Sequence, residues 1–268
     1  MPDLVSARPL AFVWHDFASA EECDALVSRG EAAKKFNEAE GAQITYGNEG
    51  FRRIVMLNGK MYAEVGTEDD GLDSQSKILI DRFNAATSKF IGHSSKPHDE
   101  QWQNVVNFTP CADDGDDNEN NLLAGLHVDT YNDARPRFAT ALLYLRCHPS
   151  NGSGDTLFAS DEEAAARLLA AGIESTLDVD DPADARHEAV RALEASGRPL
   201  VPARAGTLLL FFVRDKSGAV DPCGFHGSAK PVGLDKWTLQ TFWAVPPEEV
   251  DVERYASERV EAALRGVT

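Results

Sequence analysis

RFATALLYLRC, residues 137–147, is one of five short apolar or alternating runs in the second half of the chain. The others are QWQNVVNF (101–108), DTLFA (155–159), TLLLFFV (207–213) and WTLQTFWAV (237–245). Gly, Pro and Asp separate them. Short apolar runs between turn formers read as strands of a sandwich or barrel. Between the third and fourth runs, residues 161–197 are rich in Ala, Glu and Leu and read as a partly helical insertion.

Upstream, LAFVWHDF (10–17) reads as a buried strand. Ser19 with Glu22 fits a capping box, in which each side chain satisfies the other's free backbone N–H, and predicts a helix over 20–36. Residues 38–76 are rich in Gly, Asn and Asp and read as loops and short strands. Residues 77–92 place Ile78, Ile80, Phe83, Ala86 and Phe90 at helical spacing. The tail over 247–265 reads as a terminal helix, and no internal repeat is visible. The expected class is mainly β with flanking helices (α+β). A single domain over 1–268 is expected. Residues 1–100 support a core at 101–245, and 246–268 close the chain.

The chain has 268 residues, 43% of them hydrophobic, enough for a sizeable core. With 26 Lys and Arg against 44 Asp and Glu, its formal charge is -18. An acidic surface repels phosphate backbones and anionic lipid, which argues against nucleic-acid or membrane partners. Cys23, Cys111, Cys147 and Cys223 form no CxxC pair and no disulfide framework. The first ten residues, MPDLVSARPL, hold no apolar signal core, and no stretch reaches about 18 apolar residues. A soluble, cytoplasmic protein is expected; oligomeric state is not legible. The acidic segment CADDGDDNENN (111–121) lacks the glycine and the twelfth-position glutamate of a calcium loop, and reads as a solvated acidic loop.

The chemistry centres on LHVDT, 126–130. In an extended strand alternate side chains share a face, so His127 and Asp129 can converge on one point. With a second imidazole from elsewhere they make a facial triad, which holds Fe(II) on three sites and leaves three open. HxD alone is a weak signal, since a surface His beside a turn Asp is common. His226, in DPCGFHGSAKPVGLDKW, supplies the second imidazole. Lys236 lies ten residues further on, beside the last aromatic strand, where it can pair with a carboxylate in a partly dry pocket. Lys230 and Arg204 compete for that role.

Over about residues 100–245 the chain resembles the catalytic domain of prolyl 4-hydroxylase-type iron and 2-oxoglutarate dioxygenases. The matching pieces are HVD at 127–129, GDTLF at 154–158, VPARAGTLLLFF at 201–212, Asp221 and HGSAKPVGLDKW at 226–237. F-x-S-x-E-E-C-D-A-L at 17–26 resembles the helix that opens the family. The resemblance implies a double-stranded β-helix (jelly roll), with His127, Asp129 and His226 as iron ligands and Lys236 on the far carboxylate of 2-oxoglutarate. It implies Fe(II), 2-oxoglutarate and O2, with ascorbate as an optional reductant. The expected activity is hydroxylation of an unactivated C–H bond in a small metabolite or amino acid, or else in a prolyl residue of a peptide. Related halogenases replace the carboxylate by a small residue, so Asp129 argues against halogenation.

The chain departs from the family pattern in three places. Phe108 stands where a tyrosine often bonds the co-substrate, and Thr156 is a candidate replacement. The acidic loop before His127 and the insertion at 161–197 are long for the family. Two further readings stay open: a jelly-roll binding module without chemistry, and a cupin-type metal enzyme that needs no 2-oxoglutarate. Arg135 and Arg137 are candidate partners for a substrate carboxylate, against a reading as solvated turn charges. Trp237, Phe242 and Trp243 read as core. His15, His93, His98, His148 and His187 read as surface or structural residues.

Overall fold

An unbroken apolar run such as LLLFF can be buried only if both faces of its strand are covered, and the tertiary structure covers both. A computed structural model describes residues 1–41, 43–57, 59–65, 72–92, 104–111, 122–123, 125–132, 135–148, 152–179, 181 and 183–266. Most of the acidic loop, His93 and His98 therefore lie outside the described residues. In chain order the elements begin with β1 (Asp3–Ala7), β2 (Leu10–Trp14), α1 (Ala20–Glu40), β3 (Ile44–Asn48), β4 (Phe51–Leu57), β5 (Lys60–Val65), α2 (Ser74–Phe90) and β6 (Asn104–Thr109). Then follow β7 (Tyr131–Asn132), β8 (Arg135–Arg146), β9 (Thr156–Phe158), α3 (Glu162–Ala170), α4 (His187–Ala195), β10 (Arg198–Pro199) and β11 (Leu208–Phe212). The chain ends with β12 (His226–Ser228), β13 (Lys236–Ala244) and α5 (Val252–Arg265).

The large sheet runs β1-β2-β11-β8-β13-β6-β5-β4-β3, with β7 beside β8, and the small sheet runs β10-β9-β12. Every pairing between these strands is antiparallel. The two sheets form the double-stranded β-helix core. Alternation sorts each strand between two apolar layers. Leu208, Leu210 and Phe212 of β11 join Leu26 and Val27 of α1, Phe83 of α2 and Val260 of α5 behind the large sheet. Leu209 and Phe211 turn the other way, toward Phe158, Phe225, Leu168 of α3 and Leu193 of α4. At ~1.5–3 kcal/mol for each fully buried large apolar side chain, these two layers dominate the stability of the fold.

The Ser19–Glu22 capping box is present, and Glu22 also binds Arg82 of α2 at 2.8 Å, tying the two helices together. Helix α1 continues past residue 36 to Glu40, where Gly41 adopts a left-handed conformation and ends it. The short strands expected in this region are β3, β4 and β5, which extend the large sheet through the pairing of β5 with β6. Phe51, Ile54, Met61 and Ala63 bury their side chains in the layer behind the large sheet.

Gly30 lets α1 approach that sheet. A Cβ there would lie 2.3 Å from Cζ3 of Trp237, whose ring is 1% exposed and packs on Phe108. Alanine is the better helix former by about 1 kcal/mol, but overpacking a closed core costs about 1–3 kcal/mol. Because the Trp237 ring has nowhere to move, Gly30→Ala is expected to lower the urea midpoint. A raised midpoint would show that the helix relaxes away from the sheet.

Candidate metal centre

Residues 126–130 do not join a sheet ladder as a full strand. They form an extended segment held on both sides by isolated bridges, His127 with His226 and His127 with Ser175. His127 N donates to the His226 carbonyl and His226 N to the His127 carbonyl, each at 2.8 Å. The two imidazole-bearing segments are thus paired backbone to backbone. Gly227 permits the approach, since a Cβ there would lie 2.4 Å from the Gly125 carbonyl oxygen. The other edge is held by the middle of the insertion, between α3 and α4. Val128 N donates to the Glu174 carbonyl at 2.9 Å and Thr176 N to the Leu126 carbonyl at 2.8 Å.

This scaffold brings one donor atom each of His127, Asp129 and His226 within 4.8 Å of one another. His127 Nε2 lies 3.6 Å from Asp129 Oδ1, and His226 Nε2 lies 3.3 Å from Asp129 Oδ2. His226 Nδ1 sits 2.9 Å from the Gly224 carbonyl, an acceptor only, so Nδ1 carries a proton and Nε2 is the nitrogen presented to a metal. The ring stacks on Phe158 and meets Phe211 edge-on, which fixes its plane. Asp129 is buried, and Thr140 Oγ1 donates to its Oδ2 at 2.9 Å. Burial alone would raise the Asp129 carboxyl; His226 and His127 outweigh it and hold the group well below the usual carboxylate range. Two imidazole nitrogens and a carboxylate, oriented by a carbonyl and a hydroxyl, fit the donor set of ferrous iron.

Arg137 is not a solvated turn charge. It lies in β8, 8% exposed, with a guanidinium nitrogen 3.5 Å from Asp129 Oδ1 and its Cζ 3.6 Å from the centroid of the Phe242 ring. Arg135 begins β8 half-buried and does not line the site. Phe242 is likewise more than core, because it lines the cavity beside the three donors. Trp237 and Trp243 are buried core residues as expected.

That cavity is about 230 Å³. His127, Asp129 and His226 share it with Lys236 and Thr156, whereas Lys230 and Arg204 do not line it. Lys236 is 7% exposed and donates from Nζ to Ser228 Oγ at 3.0 Å. Among the described residues no carboxylate lies within ion-pair distance of its ammonium. Burial pushes that ammonium down to about 8, while Cys147 and Asp155 pull the other way. Tyr144 OH donates to Thr156 Oγ1 at 2.8 Å, and burial keeps the phenol protonated.

Phe108 does not mark a missing hydroxyl in the cavity, because it packs on Trp237 behind the sheet while its neighbours Asn107 and Thr109 face the cavity. The residues that sequence reasoning missed are Thr140, Tyr144, Ser228, Gln240, Asn107 and Lys60. One signal was available: Lys236, Thr238, Gln240 and Phe242 alternate along β13. Polar residues at every second position of a largely buried strand mark a face that meets a cavity.

No protein-family model matches the chain, and no curated protein matches it. Among solved structures, a prolyl-4-hydroxylase from Pseudomonas putida is 15% identical, with a TM-score of 0.40 over 88% of this chain and 92% of that one. AviO1 from Streptomyces viridochromogenes Tue57 is 13% identical, with a TM-score of 0.48 over 88% and 90%. HygX from Streptomyces hygroscopicus, solved with nickel and 2-oxoglutarate bound, is 13% identical, with a TM-score of 0.43 over 90% and 89%. The chain is similar to each of these three structures along most of its length, at low sequence identity.

Proposed function

We propose that this chain is an Fe(II)- and 2-oxoglutarate-dependent dioxygenase that hydroxylates an unactivated C–H bond of a small metabolite or amino acid. The observation that carries the reading is the convergence of His127, Asp129 and His226 at a cavity that also holds a buried lysine with no carboxylate partner among the described residues. Ferrous iron bound there would supply oxygen activation, coupled to decarboxylation of 2-oxoglutarate to succinate and carbon dioxide.

The chain's own residues do the rest. His127, Asp129 and His226 would hold the metal. Thr140 and the Gly224 carbonyl orient two of those ligands. Lys236 would receive the far carboxylate of 2-oxoglutarate, and Thr156, fixed by Tyr144, would present a hydroxyl beside it. A charge pair in a partly dry pocket is stronger than the same pair in water. Phe211, Phe242 and Leu142 keep the metal side apolar and dry. The cavity is smaller than the ~300–1,000 Å³ of ordinary ligand pockets. It suits the co-substrate, and the substrate would approach past His127, whose side chain is 48% exposed. Hydroxylation of a peptide prolyl residue is the alternative, and it would use the same approach. A cytoplasmic, reducing setting agrees with four cysteines that form no disulfide. Among the described residues no helix is long and apolar enough to cross a membrane.

The test is anaerobic titration of the protein with Fe(II) and then 2-oxoglutarate. A weak visible charge-transfer band, with one iron retained per chain, is the expected result. No band and no retained iron would favour the non-catalytic jelly-roll module. Substrate-triggered succinate release over an amino-acid and peptide panel then separates the substrate classes. Activity confined to proline-containing peptides would exclude the small-metabolite reading.

A further inference from the structure

The cavity holds a second lysine. Lys60 is the first residue of β5, and it lines the same cavity as Lys236. Strand β6 lies between them. Met61 is opposite Phe108 and Lys236 is opposite Thr109, so Lys60, Thr109 and Lys236 fall in one row across three strands. Neighbouring strands are ~4.8 Å apart, which sets the two lysine backbones about 10 Å apart. At that spacing two long side chains on one face can reach the same small anion.

Among the described residues Lys60 has no ion-pair or hydrogen-bond partner. Burial lowers its ammonium pKa, and its charge in turn lowers that of Lys236. Two like charges converging in a half-dry cavity are unfavourable without an anion between them. They are also improbable by composition, since the chain has 26 cationic residues against 44 acidic ones. Thr109 lines the cavity from the row between them, where a hydroxyl can donate to the same anion.

We propose that Lys60 and Lys236, with Thr109 between them, form a two-cation seat for the far carboxylate of the co-substrate, so that selectivity for a dicarboxylic 2-oxo acid rests on the lysine pair. The assignment of Lys60 rests on the function proposed above.

The test is calorimetric titration of 2-oxoglutarate into Mn(II)-loaded wild type, Lys60→Met, Lys60→Arg and Lys236→Met. Lys60→Met is expected to weaken binding about tenfold or more, and Lys60→Arg, which keeps the charge, to stay within about threefold. 2-Oxobutanoate lacks the far carboxylate and should bind Lys60→Met and wild type alike. If Lys60→Met unfolds early, Lys60→Gln carries the same expectation with a polar tip. Binding of 2-oxoglutarate by Lys60→Met within about twofold of wild type, with Lys236→Met clearly weakened, would overturn the role of Lys60 and leave the proposed function standing. The same holds if Lys60→Arg weakens as much as Lys60→Met. Failure of wild type to bind 2-oxoglutarate at all would overturn both.

Discussion

Asp129→Ala is expected to leave a protein that folds but retains no iron after desalting, with turnover down by on the order of 10³ or more. Losing a group that merely orients a metal ligand costs about 10–100-fold in affinity or activity, and losing the ligand itself costs more. Asp129 is the sole carboxylate of the three-donor cluster found among the described residues. The two imidazoles that remain are one ligand short of a facial triad. The variant also strips Arg137 and Thr140 of a buried acceptor. Removing one partner of a buried charged cluster destabilises by up to about 3–5 kcal/mol. Asp129→Asn, which preserves volume, therefore belongs beside it. Metal content by mass spectrometry, with circular dichroism as the folding control, decides the matter. Stoichiometric iron in folded Asp129→Ala would show that the triad is not the metal site.

Lys236→Met should move stability and binding in opposite directions. In the folded protein burial pushes the Lys236 ammonium down to about 8, against about 10.4 for an unfolded lysine. Between those two pH values the folded chain holds fewer protons than the unfolded one, so stability rises with pH across that window. Below it the lysine is charged in both states, and the fold carries the whole cost, on the order of 3 kcal/mol. An apolar isostere removes that cost but loses the Ser228 hydrogen bond. At pH 7 the metal-free variant should therefore be about 1–3 kcal/mol more stable than wild type, with the gain fading above pH 10. Its affinity for 2-oxoglutarate should fall by about 2 kcal/mol or more, because the anion loses a partly buried partner. Wild-type affinity should also weaken as pH rises through 8, and Lys236→Arg should abolish that dependence. Chemical denaturation at pH 7 and 10, with 2-oxoglutarate titrations across pH 7–9, provides the check. Unchanged activity in Lys236→Met would favour a cupin-type enzyme without 2-oxoglutarate. A less stable apoprotein would show that Lys236 is a structural residue.

Side-chain chemistry that repeats locally was legible without coordinates. LLLFF in β11 is apolar at every position because both of its faces are buried, and that demand is written into composition. The capping box, the three long helices and the partly helical insertion follow from spacings of three and four residues. HVD, the distant His226 and Lys236 were legible because metal and carboxylate chemistry restricts the residue types that serve. The tertiary structure alone decided which strands lie side by side. Thr140 and Arg137 read as part of an apolar strand and its turn until β8 places them against Asp129. Residues 174–176 read only as part of a partly helical insertion until their backbone pairs with 126–128. Lys60 and Lys236 stand 176 positions apart and meet only through the registers of β5, β6 and β13. Periodicity decides which face a side chain takes. Neighbours across a sheet are chosen by backbone hydrogen bonds, which are the same for almost every residue and leave no mark in the sequence.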